Sequence, residues 1–439
     1  MAWDQNTLCY TVGNDSMGPA GVAAQNYDET TKMRHAYPPD EQARPAQQRR
    51  AVLYSHDTFG LGHLRRSRAL ASALTDSGVV DSAIILTGSP VAGRFTFPPA
   101  VDHVRLPGVK KLPDGSYISQ NTVMDIDGTT ALRAGLIAST IAEYEPDLLI
   151  VDKEPTGFRG ELLPTLEKLR NDRKTRVVLG LRDVLDEPDV LAAEWARKNA
   201  VEATERYYDE VWVYGPRSVY DPTQGLPLSD SVRARTHWTG YLRREIIDPA
   251  DVPDEPYVLI TPGGGGDGAA MVDLVLQAYE QDPDLGPKAV LVYGPFLSGE
   301  TRDRFEARVA ELNGRVIATG FDSKIEALFA GAEGVVSMGG YNTFCELLSF
   351  DARAVIVPRT KPRLEQWIRA NRAEELGLVR NLDQFRDGLT PQSMIAAIRA
   401  LPTQIRPSQA GAAGLLAGLA VVIARARTLM GTDVQSAAE

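Results

Sequence analysis

Short apolar runs of strand length recur along the chain, each followed by turn residues and an amphipathic stretch, and this alternation limits the possible folds more than any other feature. Residues 51–55 are followed by Gly60, Gly62 and the amphipathic stretch 64–74. The pattern repeats at 83–87, at 147–152 after a helical stretch 131–144, at 176–181 and at 210–214. A second series of strands covers 257–261, 288–293, 315–318, 334–338 and 354–358, with helices over 269–279, 302–312, 323–329 and 341–350 between them. Strands alternating with helices imply parallel sheets covered on both faces, an α/β architecture. Residues 248–256, rich in Pro and acidic side chains, separate the series and read as a linker. The expected organisation is an N-terminal Rossmann-like domain over 51–247, a C-terminal one over 257–405, and a C-terminal helix and tail over 406–439, with a cleft between the domains. Residues 1–50 mix Gly, Pro, Asn, Asp and Gln without periodicity and are expected to be a disordered extension.

Length agrees with a two-domain fold, and charge limits its partners. The 439 residues exceed the roughly 250–300 at which one core stops growing. With 47 Lys and Arg against 58 Asp and Glu, the net charge of -11 argues against nucleic acid as a partner. Two cysteines, Cys9 and Cys345, build neither a disulfide framework nor a thiolate metal cluster, as a reducing cytoplasm would suit. The apolar stretch 410–424 is shorter than the ~18–20 residues of a membrane span and is diluted by Gly411, Gly414 and Gly418, so no transmembrane helix and no secretion signal are expected. Its apolar side and its Arg425 and Arg427 leave peripheral contact with the inner membrane face open, although core packing suits it better.

Three segments carry chemistry. Ser55-His56-Asp57-Thr58-Phe59-Gly60-Leu61-Gly62-His63 joins the first strand to its helix; glycines there let a ligand approach the backbone, and the helix N-terminus favours an anion. His56 and His63 flank these glycines, and a neutral imidazole at the cleft can take a proton from an attacking hydroxyl. Alternatively each ring only hydrogen-bonds the loop. Thr261-Pro262-Gly263-Gly264-Gly265-Gly266-Asp267-Gly268 offers consecutive amides to a phosphate or forms a plain turn, with Asp267 as the expected N-cap of the next helix. It lacks the Lys-Ser/Thr of a Walker A loop. Ser337-Met338-Gly339-Gly340-Tyr341-Asn342-Thr343-Phe344-Cys345-Glu346 again runs a strand through glycines into a helix. Glu346, two turns in, suits two vicinal hydroxyls such as those of a ribose. Arg359, Lys361 and Arg363 follow, either for phosphate or for solvent, ahead of Glu365 and Gln366.

At these segments the chain resembles the GT-B glycosyltransferases, and within them family 28, which includes the bacterial transferase that adds N-acetylglucosamine to a lipid-linked peptidoglycan precursor. The resemblance is strongest over 320–377. It implies that Thr319-Gly320-Phe321 meets a nucleobase, that Gly340 meets a diphosphate, that Glu346 binds the ribose and that Glu365-Gln366 binds the donor sugar. Arg244, in Gly240-Tyr-Leu-Arg-Arg244, falls at the family's donor-proximal arginine, and His63 at its histidine. The histidine loop and Pro358-Arg-Thr-Lys-Pro-Arg-Leu-Glu-Gln366 are more similar to a branch of predicted glycosyltransferases.

The resulting expectation is a glycosyltransferase moving a sugar from a nucleoside diphosphate, as a UDP-hexose or UDP-N-acetylhexosamine, to an unidentified small or lipid-linked acceptor, with inversion. His63 is the expected base, with His56 and Asp57 in reserve. The expected donor site comprises Gly62, Arg244, Gly263, Gly264, Gly265, Phe321, Gly339, Gly340, Tyr341, Asn342, Thr343, Glu346, Glu365 and Gln366. Asp152, Lys153 and Glu154, at a strand end, are candidates for the acceptor side. No cofactor and no metal are expected, and Asp125-Ile-Asp127 reads as structural. A nucleotide-sugar 2-epimerase and a non-catalytic nucleotide-sugar-binding subunit are the alternatives.

Overall fold

The computed structural model describes residues 48–56, 61–112, 116–246, 252–264, 266–321 and 324–431. Asp57, Gly265, residues 1–47 of the extension and part of the linker lie outside the described residues, while Arg50, counted with the extension, begins the first strand. The N-terminal sheet contains β1 (Arg50–Ser55), β2 (Ser82–Thr87) and β3 (Val101–Arg105), a hairpin of β4 (Val109–Lys111) and β5 (Tyr117–Ser119) stands apart, and β6 (Leu148–Asp152), β7 (Arg176–Arg182), β8 (Glu210–Tyr214) and β9 (Thr236–Trp238) complete the sheet. Its order is β3-β2-β1-β6-β7-β8-β9, all parallel. The C-terminal sheet holds β10 (Tyr257–Thr261), β11 (Lys288–Val292), β12 (Val316–Thr319), β13 (Gly334–Ser337), β14 (Ala354–Ile356) and β15 (Arg380–Asn381). Its order, β12-β11-β10-β13-β14-β15, is likewise parallel.

Both sheets reverse direction of growth beside their first strand, between β1 and β6 and between β10 and β13. Crossover helices diverge at such a point and leave a crevice at the carboxyl ends of the strands, where ligands bind in open α/β sheets. The loops after β1 and β6, and after β10 and β13, carry the sequence segments with the densest chemistry. Central strands Leu148–Asp152 and Tyr257–Thr261 are buried throughout, as parallel strands covered by helices on both faces must be.

Buried ion pairs fasten the domains to each other. Arg369, in the helix Glu365–Glu375, makes a bidentate bond to Asp183 beyond β7, at 2.6 and 2.7 Å, with both side chains 1% exposed. Tyr241 Oη also donates to Asp183, at 3.1 Å. Around this pair lie Arg182 with Glu365 at 3.2 Å, and Arg363 with Glu194 at 2.8 Å and Asp186 at 3.4 Å. Arg359, Lys361 and Arg363 read from sequence as phosphate ligands or solvated side chains; the two arginines are instead committed to carboxylates, Arg359 to Asp267 and Glu365.

The chain then returns to the first domain. Residues 407–415 form two short 3-10 turns and the helix Gly418–Leu429 packs against Gly62–Asp76, with Val422 and Ala426 in a core shared by both domains. Gly418 is required there, because a Cβ would stand 2.5 Å from the Tyr241 carbonyl oxygen. The 18 residues Ala412–Leu429 reach a mean hydropathy of 1.6, enough by length and composition alone for a span. Folded, however, the segment is broken before Gly418. Its 12-residue helix rises about 18 Å against the ~30 Å of a hydrocarbon core. Arg425 pairs with Glu210, and Arg427 donates to the Ser77 carbonyl at 3.0 Å.

Asp183→Ala leaves Arg369 buried and charged without its carboxylate, so it is expected to destabilise the protein by about 3–5 kcal/mol, measured as a fall in the urea midpoint.

Candidate active site

A cavity of about 200 Å³ opens between the two crevices. From the first domain it receives Gly62, His63, Arg65 and Arg66, on the first turns of the helix Gly62–Asp76. The second domain supplies Gly263 and Gly264 after β10, Phe321 after β12, and Gly340 to Thr343 with Glu346 after β13. Among the described residues no side chain caps Gly62–Asp76, Ala269–Gln281 or Tyr341–Ser349, and their N-terminal amides face the cavity side. Gly339, at φ 68°, makes the turn into the last of these, and a Cβ on it would lie 2.7 Å from Ile356.

His63 is oriented by a buried carboxylate. Its Nδ1 stands 2.6 Å from Asp152 Oδ2 at the end of β6, which places the proton on Nδ1 and the lone pair on Nε2. Asp152 also accepts from Arg66, at 2.6 Å to each oxygen, and Arg66 Nη2 lies 3.1 Å from His63 Nδ1. Burial alone would raise the Asp152 carboxyl, but Arg66 and His63 outweigh it and hold the group well below the usual carboxylate range. Sequence placed Asp152 on the acceptor side without its histidine partner, 89 positions away.

Glu346 is 1% exposed, which rules out a solvated helix residue. Arg65 of the facing domain reaches it at 2.5 Å and Glu326 at 2.7 Å. Burial pushes the Glu346 carboxyl up to about 7, against the pull of Arg65 and with the help of nearby Glu326. Arg244 donates to Asn342 Oδ1 at 2.8 Å, and Asn342 Nδ2 donates to the Gly62 carbonyl at 2.9 Å, so Asn342 joins the domains across the cavity floor. Tyr341 lies between two guanidiniums, with Arg66 5.4 Å and Arg369 5.9 Å from its ring centre. Phe321 meets Phe95 edge-on at 5.7 Å, forming an aromatic wall over which Arg94 lies at 5.8 Å.

The cavity thus brings together Gly62, His63, Gly263, Gly264, Phe321, Gly340, Tyr341, Asn342, Thr343, Glu346 and Gln366. Arg244 acts on it through Asn342, Gly339 presents its carbonyl to Arg369, and Glu365 is held behind it by Arg182 and Arg359. His56 lies outside this cavity, lining another; burial holds its ring well below the usual histidine range. Asp267 is not an N-cap: Gly268 holds that position and Asp267 pairs with Arg359. Asp125 does cap its helix, accepting from the Gly128 amide at 2.6 Å. Sequence reasoning missed Arg65, Arg66, Arg182 and Asp183. Arg182 ends β7 and Asp183 follows it, and a charged pair at the carboxyl end of a strand was the available signal.

Residues 258–414 match the model of the glycosyltransferase family 28 C-terminal domain. A comparison with curated proteins finds no match. Among solved structures, the chain is similar to TcCGT1 in complex with UDP, with a TM-score of 0.62 at 13% identity over 88% of this chain and 100% of that one. It is also similar to the glycotransferase of kitacinnamycin, with TM-score 0.56, 17% identity and coverage of 88% and 99%, and to the spinosyn forosaminyltransferase SpnP, with 0.57, 15%, 88% and 100%. At such identities these likenesses establish the fold, two Rossmann-like domains of GT-B type.

The raised Glu346 carboxyl makes stability depend on pH. Between its unfolded range near 4.5 and about 7 the folded state holds a proton that the unfolded state has lost, so Glu346 favours folding less as pH rises through that window. From pH 5 to 8, Glu346→Gln is expected to lose about 2–3 kcal/mol less stability than the parent protein, read from urea unfolding at the two pH values.

Proposed function

We propose that this chain, a GT-B glycosyltransferase resembling family 28, transfers a hexose or N-acetylhexosamine from a UDP-sugar to an acceptor hydroxyl, with inversion at the anomeric carbon. The observation that carries this reading is the placement of His63, its tautomer set by Asp152, across one cavity from the glycine turns and uncapped helix of the second domain. His63 Nε2 takes the acceptor proton as the oxygen attacks C1, and UDP departs from the opposite face. The leaving diphosphate develops negative charge, which the Gly264 amide and those of the first turn of Tyr341–Ser349 are placed to stabilise, the Gly263 amide being bonded to Thr261 Oγ1 at 3.3 Å. Arg244, beside Asn342, adds a positive charge, so the reading needs no metal and no cofactor.

The base would rest against Phe321 and the two ribose hydroxyls on Glu346. Because Arg65 already occupies Glu346, donor binding has to exchange that ion pair for hydroxyl bonds, with Arg65 still held by Glu326. Gln366, whose Oε1 accepts from the Arg359 amide at 3.1 Å, leaves its Nε2 for the sugar.

UDP is expected to raise the melting temperature by several degrees, and Glu346→Ala to weaken its binding about 10- to 150-fold through loss of hydrogen bonds to a charged group. Thermal-shift titration against GDP, ADP and TDP, beside the variant, tests this; a flat response to every nucleotide overturns the donor site. His63→Ala is expected to lower acceptor-dependent UDP release by about 10²–10⁴ while UDP still binds. Release that needs no acceptor would contradict transfer.

A further inference from the structure

A second cavity, of about 550 Å³, lies wholly within the first domain at the carboxyl ends of β1 and β6. Its size is that of a site for a small organic ligand. His56 lines it, and its ring stands edge-on to that of His63 of the first cavity, 5.8 Å centre to centre. Burial keeps His56 neutral, so it can hydrogen-bond a hydroxyl without adding a second cation beside His63.

The backbone turns from one cavity to the other at Lys153, a non-glycine residue at φ 70°. Asp152 before it holds His63 in the first cavity, and Glu154 after it lines the second. Strain of this kind is kept where it aims neighbouring side chains.

The walls specify a ligand. Tyr117 and Phe158 meet edge-on at 5.0 Å, and Ala203 leaves room opposite for a flat apolar body. Four cations, Arg159, Arg197, Lys198 and Arg206, stand on the rim against the carboxylates of Glu154 and Glu202. Glu154 is already neutralised by Lys153 at 3.1 Å and Lys198 at 2.7 Å, and these charges hold its carboxyl well below the usual range despite burial. Arg159 pairs with Asp127 and Arg206 with Glu167, but no ion pair to Arg197 occurs among the described residues. Arg197 is therefore the cation open to a ligand.

We infer that this cavity binds the acceptor, and that the acceptor is a ring-bearing apolar molecule carrying an anionic group, held by Arg197, with its reacting hydroxyl presented past His56 to His63. The inference rests on the transfer reaction proposed above and supplies its acceptor class.

The probe is 6-hydroxy-2-naphthoate, compared with its methyl ester, each titrated by fluorescence into the UDP-bound protein. The acid is expected to bind about tenfold tighter than the ester. Arg197→Glu, an exposed position, should remove that preference, and Ala203→Trp, which fills the cavity, should abolish binding of both compounds. The UDP thermal shift should persist in both variants, showing that they fold and that the donor site is intact. Equal binding of acid and ester, an unchanged preference in Arg197→Glu, retained binding in Ala203→Trp, or no binding of the naphthoate at millimolar concentration would each overturn the inference. Loss of the UDP shift in the parent protein would instead overturn the donor reading, so the two failures are distinguishable.

Discussion

Everything in the cleft depends on charge buried between two domains, above all the Asp183–Arg369 pair. Neither ion has enough water to remain solvated alone, so separating the domains would require both to be hydrated again or left unpaired. Arg369 extends this effect into the site. It donates to the Gly339 carbonyl at 3.1 Å and lies over the Tyr341 ring, steadying the turn whose amides face the cavity. A charge pair at the rear of the cleft thereby sets the geometry at its front.

Not every pair across the cleft has the same character. Arg182, Asp183, Asp186 and Glu194 meet residues of one helix, Glu365–Glu375, or of the turn before it, and form a seam along one side of the cleft. Arg65 and Glu346 meet on the wall of the cavity itself, where a ligand can take the place of either partner. Burial pushes the Glu346 carboxyl up against the pull of Arg65, so the pair is less strongly held than a seam pair such as Asp183–Arg369.

Most strands visible in sequence are buried on both faces, as the continuous apolar run Leu148–Asp152 is, while the edge strand β12 shows through its β-branched Val316 and Ile317. Their boundaries shifted by only a residue or so. The strands that escaped notice were β3, whose Asp102, His103 and Arg105 suit an edge, and β4, β5, β9 and β15, too short for any pattern. The glycine turns were legible because their chemistry is local. What was not legible was pairing: Asp152 with His63, Asp183 with Arg369 and Arg65 with Glu346 are brought together by topology from distant parts of the chain, and a lone charge carries no mark of its partner. Asp267 shows the same limit, since an acidic residue just before a helix resembles a cap until a nearby arginine claims it.

The return of the chain through Gly418 has a mechanical consequence. Tyr241 donates its amide to Leu415 at 2.7 Å and accepts from the Gly418 amide at 3.1 Å, so the outgoing and incoming passages run side by side, hydrogen-bonded to each other. A single connecting strand behaves as a swivel, free to twist about its own axis. Two bonded strands behave as a door hinge, permitting rotation about one line and resisting torsion and sliding. Opening to admit a nucleotide and reclosing would then return His63 to the same position opposite the glycine turns in every cycle, with alignment enforced by the hinge before any substrate is bound.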